Sequence, residues 1–208
     1  MSDIRSHWPE ILADQEPLRE RLVAAYSEPH RRYHDLRHLE EVLERISLLV
    51  DAAGDTFLQH IDLDAVLLAA WFHDAVYDGD RDDEDRSASL AERELAAADV
   101  DDDLVSEVAR LIRLTATHEV VDDDLAGQVL CDADLGILAA EQERYEQYAA
   151  AVRQEYQHIG DDDFRTGRTA VLARLLEAPA LFTTAYAKRH WEQAARANLE
   201  LEMSQLER

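Results

Sequence analysis

The stretch Ala65–Phe72, AVLLAAWF, is an unbroken run of eight apolar residues that ends on an adjacent histidine and aspartate, His73 and Asp74. A run of that kind has no polar face to offer solvent, so it specifies a segment buried on nearly all sides, with other elements packed around it. An ionisable pair at its end is costly unless the chain surfaces there or a partner of suitable charge meets it. The fold must therefore bury the run and also provide for His73 and Asp74.

The surrounding sequence favours helices. Six Gly and four Pro in 208 residues are few for a turn-rich β sandwich or barrel. LRHLEEVLERISLLV (36–50) places apolar residues at 36, 39, 42, 43, 46, 49 and 50, the period of an amphipathic helix, with Gly54 as its stop. DLDAVLLAAWFHDAVY (62–77) has carboxylates at 62 and 64, which suit a helix N-terminus, and Gly79 lies just past its end. Further helices are predicted over 104–118, 124–140, 141–158 and 164–177, after the acidic loop 78–83, and from Pro179 onward. Aspartate triplets at 101–103, 122–124 and 161–163 read as N-caps rather than calcium ligands. With 47% apolar residues, no internal repeat and no Gly/Ser linker, the expectation is an all-α fold, a single helical domain spanning 1–208.

The net charge of −25 opposes binding to nucleic acid polymers and to anionic membranes. It leaves room for a small anionic substrate if a multivalent cation inverts the potential locally. The lone Cys131 excludes an internal disulfide and reads as a small packed side chain, while the start MSDIRSHWPE has no apolar h-region. A soluble, cytoplasmic protein is expected.

The chain has two His-Asp dipeptides, and their contexts differ. His34-Asp35 lies in RRYHDLRHLEE, among arginines at an exposed-looking helix start, whereas His73-Asp74 closes the apolar run. His34 and His38 are four residues apart, so on a helix they share one face. In CDADLGIL (131–138) the carboxylates Asp132 and Asp134 interrupt an apolar helix, where they again call for a cation. His, His, Asp and Asp drawn from three helices form a mixed nitrogen and oxygen set suited to a divalent metal: Mn, Mg, Co, Ni, Fe or Zn.

The order of these blocks, YHDLRHLEEVL, AAWFHDAVYD and DADLGIL, resembles the HD-domain superfamily of metal-dependent phosphohydrolases. It is most similar to a branch of small stand-alone HD proteins of unassigned substrate. The blocks YHDLRH (33–38), FHDAVYD (72–78), EDRSA (84–88), TATH (115–118), DADLGIL (132–138), YEQYAAAVRQEY (145–156) and ARANL (195–199) carry the likeness over most of the chain. Asp83 stands where that pattern has an asparagine, so the resemblance assigns position 83 no role.

The resemblance implies an HD-type helical bundle and a metal centre. It favours His38 over His34, because an apolar residue, Val42, follows His38 one turn later. It favours Asp134 over Asp132 through the context Ala133-Asp134-Leu135, although Gly136 shifts the usual spacing. His38, His73, Asp74 and Asp134 are thus the expected metal ligands, with Asp74 also counted as catalytic. Glu84 is the candidate to orient the attacking water or shuttle its proton. His34, Arg37, Arg86, His118 and Arg153 are candidates for contacting the phosphate, since phosphoryl transfer asks chiefly for positioning and positive charge. Tyr145, Tyr148 and Tyr156 recur at helical spacing and read as core. The implied activity is hydrolysis of a small phosphorylated substrate, a nucleotide being one such ester. A di-iron oxygenase, with His34 and His118 as added ligands, and a non-catalytic regulatory module that binds a metal or ligand are the alternatives.

Overall fold

The computed structural model of the chain describes residues 4–54, 59–80 and 82–207. The first residues of the start read above, and Arg81 of the acidic loop, lie outside them. The described residues contain ten α-helices and no strand, an all-α architecture as expected.

The apolar run forms α3 (Leu63–Phe72), in which Ala65, Val66, Leu68, Ala69, Ala70, Trp71 and Phe72 are buried. Each of the larger side chains contributes roughly 1.5–3 kcal/mol of transfer free energy on burial, which is why this helix sits at the centre. Four helices pack on it: α2 (Leu36–Ala53), α4 (Asp83–Ala97), α5 (Asp102–Leu114) and α6 (Leu125–Leu135). α2 turns its buried stripe, His38, Leu39, Val42, Leu43, Ile46, Leu49 and Val50, inward. It stops at Gly54, where φ is +80°.

α1 (Glu16–Tyr26) precedes this group and packs on α2. After α6 a 3-10 turn, Gly136–Ala139, leads into α7 (Gln142–Glu155) and α8 (Asp161–Glu177). α9 (Ala185–His190) and α10 (Glu192–Leu206) close the chain, α10 against the 3-10 turn and α8, α9 against α2. No helix among the described residues is long and apolar enough to cross a membrane.

Several boundaries differ from the expected ones, each for a tertiary reason. The helix predicted over 62–77 ends at Phe72, because side chains from elsewhere take over the backbone of 74–80. Buried Arg31 donates to the carbonyls of Asp74 and Ala75 at 2.7 and 3.2 Å. Ser87 Oγ both accepts from the Val76 N–H and donates to its carbonyl. Asp83, to which no role was assigned, is buried and accepts from the N–H groups of Asp78, Gly79 and Asp80 at 2.8–2.9 Å.

The helix predicted over 124–140 tightens into 3-10 form at Gly136. A Cβ there would lie 2.5 Å from Arg45 Cδ of α2, so glycine permits the close approach of that arginine to the end of α6. The segment from Pro179 becomes helical only at Ala185. Glu192 takes the N–H groups of Leu181 and Phe182, and Asp132 those of Thr183 and Thr184. Of the aspartate triplets, Asp101 and Asp124 accept as N-caps. Asp161–Asp163 instead fill the first turn of α8 behind Gly160, where they complement the helix dipole.

Candidate metal centre

Because α2 and α6 both pack on α3, the first turn of α2 and the ends of α3 and α6 meet. His38 lies one turn into α2, behind Asp35, whose carboxylate accepts from the Arg37 and His38 N–H groups. His73 is the C-cap of α3, and Asp74 follows in the turn. Asp134 lies next to the last residue of α6.

The Nε2 atoms of His38 and His73 are 3.1 Å apart, and Asp74 Oδ2 is 3.2 Å from both. Asp134 Oδ1 is 3.3 Å from His38 Nε2 and 3.7 Å from His73 Nε2. Donors held about 2.1 Å from one ion are separated by about 3.0 Å in an octahedron and about 3.4 Å in a tetrahedron. Four of the five spacings, 3.1–3.3 Å, fall within that interval, and the fifth, His73 Nε2 to Asp134 Oδ1 at 3.7 Å, exceeds it. His38, His73 and Asp74 form a group able to hold a metal ion, and Asp134 stands beside it.

The tautomer of His73 supports that fit. His73 Nδ1 lies 2.8 Å from the Ala70 carbonyl, an acceptor only, so Nδ1 carries the hydrogen and the neutral ring presents its Nε2 lone pair to the carboxylates. Electron-rich atoms crowded this closely need protons or a cation between them. Without a metal, protons fill that need. Burial opposes charge on His38, but the hydrogen bonds it donates to Asp134 and Asp74 outweigh it and raise its pKa. Burial likewise opposes charge on His73, and the negative charge of Asp74 overrides it, raising the pKa well above the usual value. Burial would raise the carboxyl pKa of Asp74, but the charge of His73 holds it well below the ordinary range. At Asp134 the hydrogen bond with His118, followed by those with His38 and His73, overcomes burial in the same direction.

The neighbouring candidates separate clearly. His118, at φ +57°, places Nε2 2.8 Å from Asp134 Oδ2, a contact that aims Oδ1 toward the imidazoles. His34 precedes the N-cap and is not on the helix that carries His38, so the shared helical face does not form. Its Nδ1 instead contacts Glu155 Oε2 at 2.8 Å. Asp132 is buried away from the centre, accepting from Thr183 N and Oγ and from Thr184 N at 2.7–3.0 Å.

A cleft of about 400 Å³ is lined by Asp134 together with Tyr33, His34, Glu84 and His118. Burial raises the Glu84 pKa, partly offset by its own backbone N–H and reinforced by Asp74 and Asp83. Arg37, Arg86 and Arg153 do not line this cleft. Arg37 pairs with Glu41 and Gln147, Arg86 with Asp78 and Asp83, and Arg153 with Asp161 and two carbonyls after α7. In an acidic protein such arginines are drawn to the nearest carboxylates. The cleft is lined instead by Arg168, which is paired with Glu202, and by Arg174, which has no ion-pair partner among the described residues. Glu155 was given no role from the sequence although it lies within the block YEQYAAAVRQEY, and Arg174, one arginine on a polar helix, carries no distinguishing pattern.

The two aspartates of α6 should therefore fail differently. Asp132→Ala leaves buried backbone donors without acceptors and is expected to lower stability by about 2–4 kcal/mol while keeping metal content. Asp134→Ala is expected to lower metal affinity with a smaller loss of stability. Chemical denaturation and elemental analysis of the two variants separate the outcomes.

Comparison of the chain with protein families, with curated proteins and with solved structures finds no match.

Proposed function

We propose that this protein is a divalent-metal-dependent phosphohydrolase of the HD type, acting on a small phosphate ester. The observation that carries the proposal is the convergence of two imidazole nitrogens and two carboxylates within 3.1–3.7 Å beside a cleft of small-molecule size. His38, His73, Asp74 and Asp134 would hold the ion. When bound, it supplies Lewis-acid polarisation of a phosphoryl oxygen and lowers the pKa of water from about 15.7 toward neutrality.

The chain's own groups account for the remaining requirements. Glu84, at the cleft wall with a pKa raised by burial, is suited to accept and return a proton. Glu155 holds His34, a lining residue of the cleft, through Nδ1, which leaves the other ring nitrogen as a hydrogen-bonding group. Arg174 brings positive charge free of any ion pair among the described residues, and it takes the place of Arg37, Arg86 and Arg153 as the arginine suited to contact the phosphate.

The test is phosphate release from a panel of phosphorylated metabolites, assayed with Mg, Mn, Co, Ni, Fe and Zn in turn. Turnover that requires one of these ions supports the proposal, and no release with any of them rejects it. A pH dependence accompanies it. Because the His38 and His73 pKa values are raised, protons compete with the ion for both rings. Metal affinity is expected to fall as pH drops, approaching about tenfold per pH unit for each proton displaced once both rings are protonated in the metal-free protein; direct metal titration at several pH values checks this.

A further inference from the structure

A second cavity, of about 430 Å³, adjoins the cleft, and His34, Tyr148, Arg168 and Val171 line both. Beyond this shared wall it is bounded largely by Val152, Tyr156, Ile159 and Phe164, on α7, α8 and the turn between them. The Tyr156 and Phe164 rings lie 6.3 Å apart. Val171, where the two spaces join, is apolar yet 41% exposed. Its volume falls within the roughly 300–1,000 Å³ of small-molecule sites.

The charges of the two spaces differ. Among the described residues that line the second cavity the one guanidinium, Arg168, is already committed: it donates to both carboxylate oxygens of Glu202, at 2.7 and 3.0 Å, and to Tyr148 Oη. Asp163 adds a negative group at the same cavity. An anionic group placed there meets no free guanidinium or ammonium among the described lining residues, and an uncharged apolar group loses nothing by burial. In the first cleft the preference would reverse, because Arg174 lines it and the His–Asp centre, when it holds a cation, favours the anion.

Resting on the hydrolase reading above, we infer that the second cavity is the specificity pocket of the centre. It receives the uncharged, apolar, ring-sized organic group of a phosphate monoester whose phosphoryl group faces the His–Asp centre. A nucleoside di- or triphosphate tail is excluded from this pocket by the same charge argument.

Gly167 provides the means to test it. It lines the second cavity but not the first, and a Cβ added there meets no atom within 4 Å. It lies inside α8, where replacing glycine by alanine or leucine improves helix propensity, so both variants should fold.

The experiment is calorimetric titration of the full chain, with and without Mn²⁺, using 2-naphthylmethylphosphonate, methylphosphonate and the neutral 2-naphthalenemethanol. The naphthyl phosphonate is expected to bind at least about tenfold more tightly than methylphosphonate. Gly167→Leu should remove that advantage and leave methylphosphonate binding and the melting temperature undiminished, while Gly167→Ala retains it. An advantage that survives Gly167→Leu overturns the inference. So does a Leu variant that changes only the oligomeric state, since the occupant would then be a second copy of the chain. If Mn²⁺ strengthens neither phosphonate but Gly167→Leu abolishes binding of the neutral probe, the hydrolase reading fails and the cavity remains an apolar ligand site. If no probe responds to Gly167→Leu, the pocket assignment fails whatever the metal does.

Discussion

His73→Ala is expected to reduce bound divalent metal to trace and phosphate release by more than about a hundredfold, the upper end of what loss of an outer partner of a metal ligand costs. Two contacts are lost together. The Nε2 lone pair no longer faces Asp74 and Asp134, and the Nδ1 hydrogen no longer anchors the end of α3 on the Ala70 carbonyl. Asp74→Ala should give the same two losses, because Oδ2 faces both imidazoles at 3.2 Å. Helicity should persist in both variants, since the buried stripe of α2 and the apolar body of α3 are untouched. Elemental analysis, phosphate release and far-UV circular dichroism on the same preparations provide the check. Full activity in both variants would reject the proposed function.

Glu155→Ala is expected to be the most destabilising single change near the cleft, at about 3–5 kcal/mol. One carboxylate oxygen accepts from the N–H groups of Arg32, Tyr33 and His34 at 2.7–3.0 Å, and the other contacts His34 Nδ1 and Tyr77 Oη at 2.8 and 3.1 Å. The side chain is 3% exposed, so water cannot replace these bonds. Burial would raise this carboxyl's pKa, but His34 and the loop N–H groups bring it down to about 2. A folded pKa below the unfolded value means the stabilisation is fully present above about pH 4.5 and is lost as pH falls toward 2. The wild-type minus Glu155→Ala difference in denaturation free energy should therefore shrink between pH 4.5 and 2. A constant difference across that range would show that the charge of Glu155 contributes nothing. Glu155→Gln keeps an acceptor for the loop but places an amide against donors, so it should be intermediate in stability.

Much of the architecture is legible in local pattern. The 3.6-residue period of 36–50 and the unrelieved apolarity of 65–72 identify α2 and α3, and those two helices bring His38, His73 and Asp74 together. The stop at Gly54 and the caps at Asp101 and Asp124 are local as well. The end of α3 was not legible, because 74–80 is held by Arg31, Asp83 and Ser87, and nothing near residue 73 announces such distant partners. Asp83 shows the same limit: a departure from the HD pattern turns out to tie three consecutive N–H groups of the loop.

The arginines show why charge is hard to place from sequence. Arg86 and Arg153 have carboxylates within reach on their own or the next turn, and those contacts take precedence over the cleft. Arg174, among less acidic neighbours on α8, is left facing it. Asp132 and Asp134 are two residues apart on one helix, and their fates diverge because 100° per residue turns one toward Thr183 and the other toward His118.

Periodicity and apolar content therefore sufficed for the all-α class, the central helix and the short list of ionisable groups that such a core could not bury alone. Folding in three dimensions chose among them: it joined His38 to His73, gave Asp134 to the centre and Asp132 to the tail, and set an apolar cavity beside the cleft. The reason lies in the range of the forces. Helix formation and amphipathic burial act over one or two turns of chain, whereas a shared cation site, a satisfied loop and a cavity exist only where segments remote in sequence come within a few ångströms.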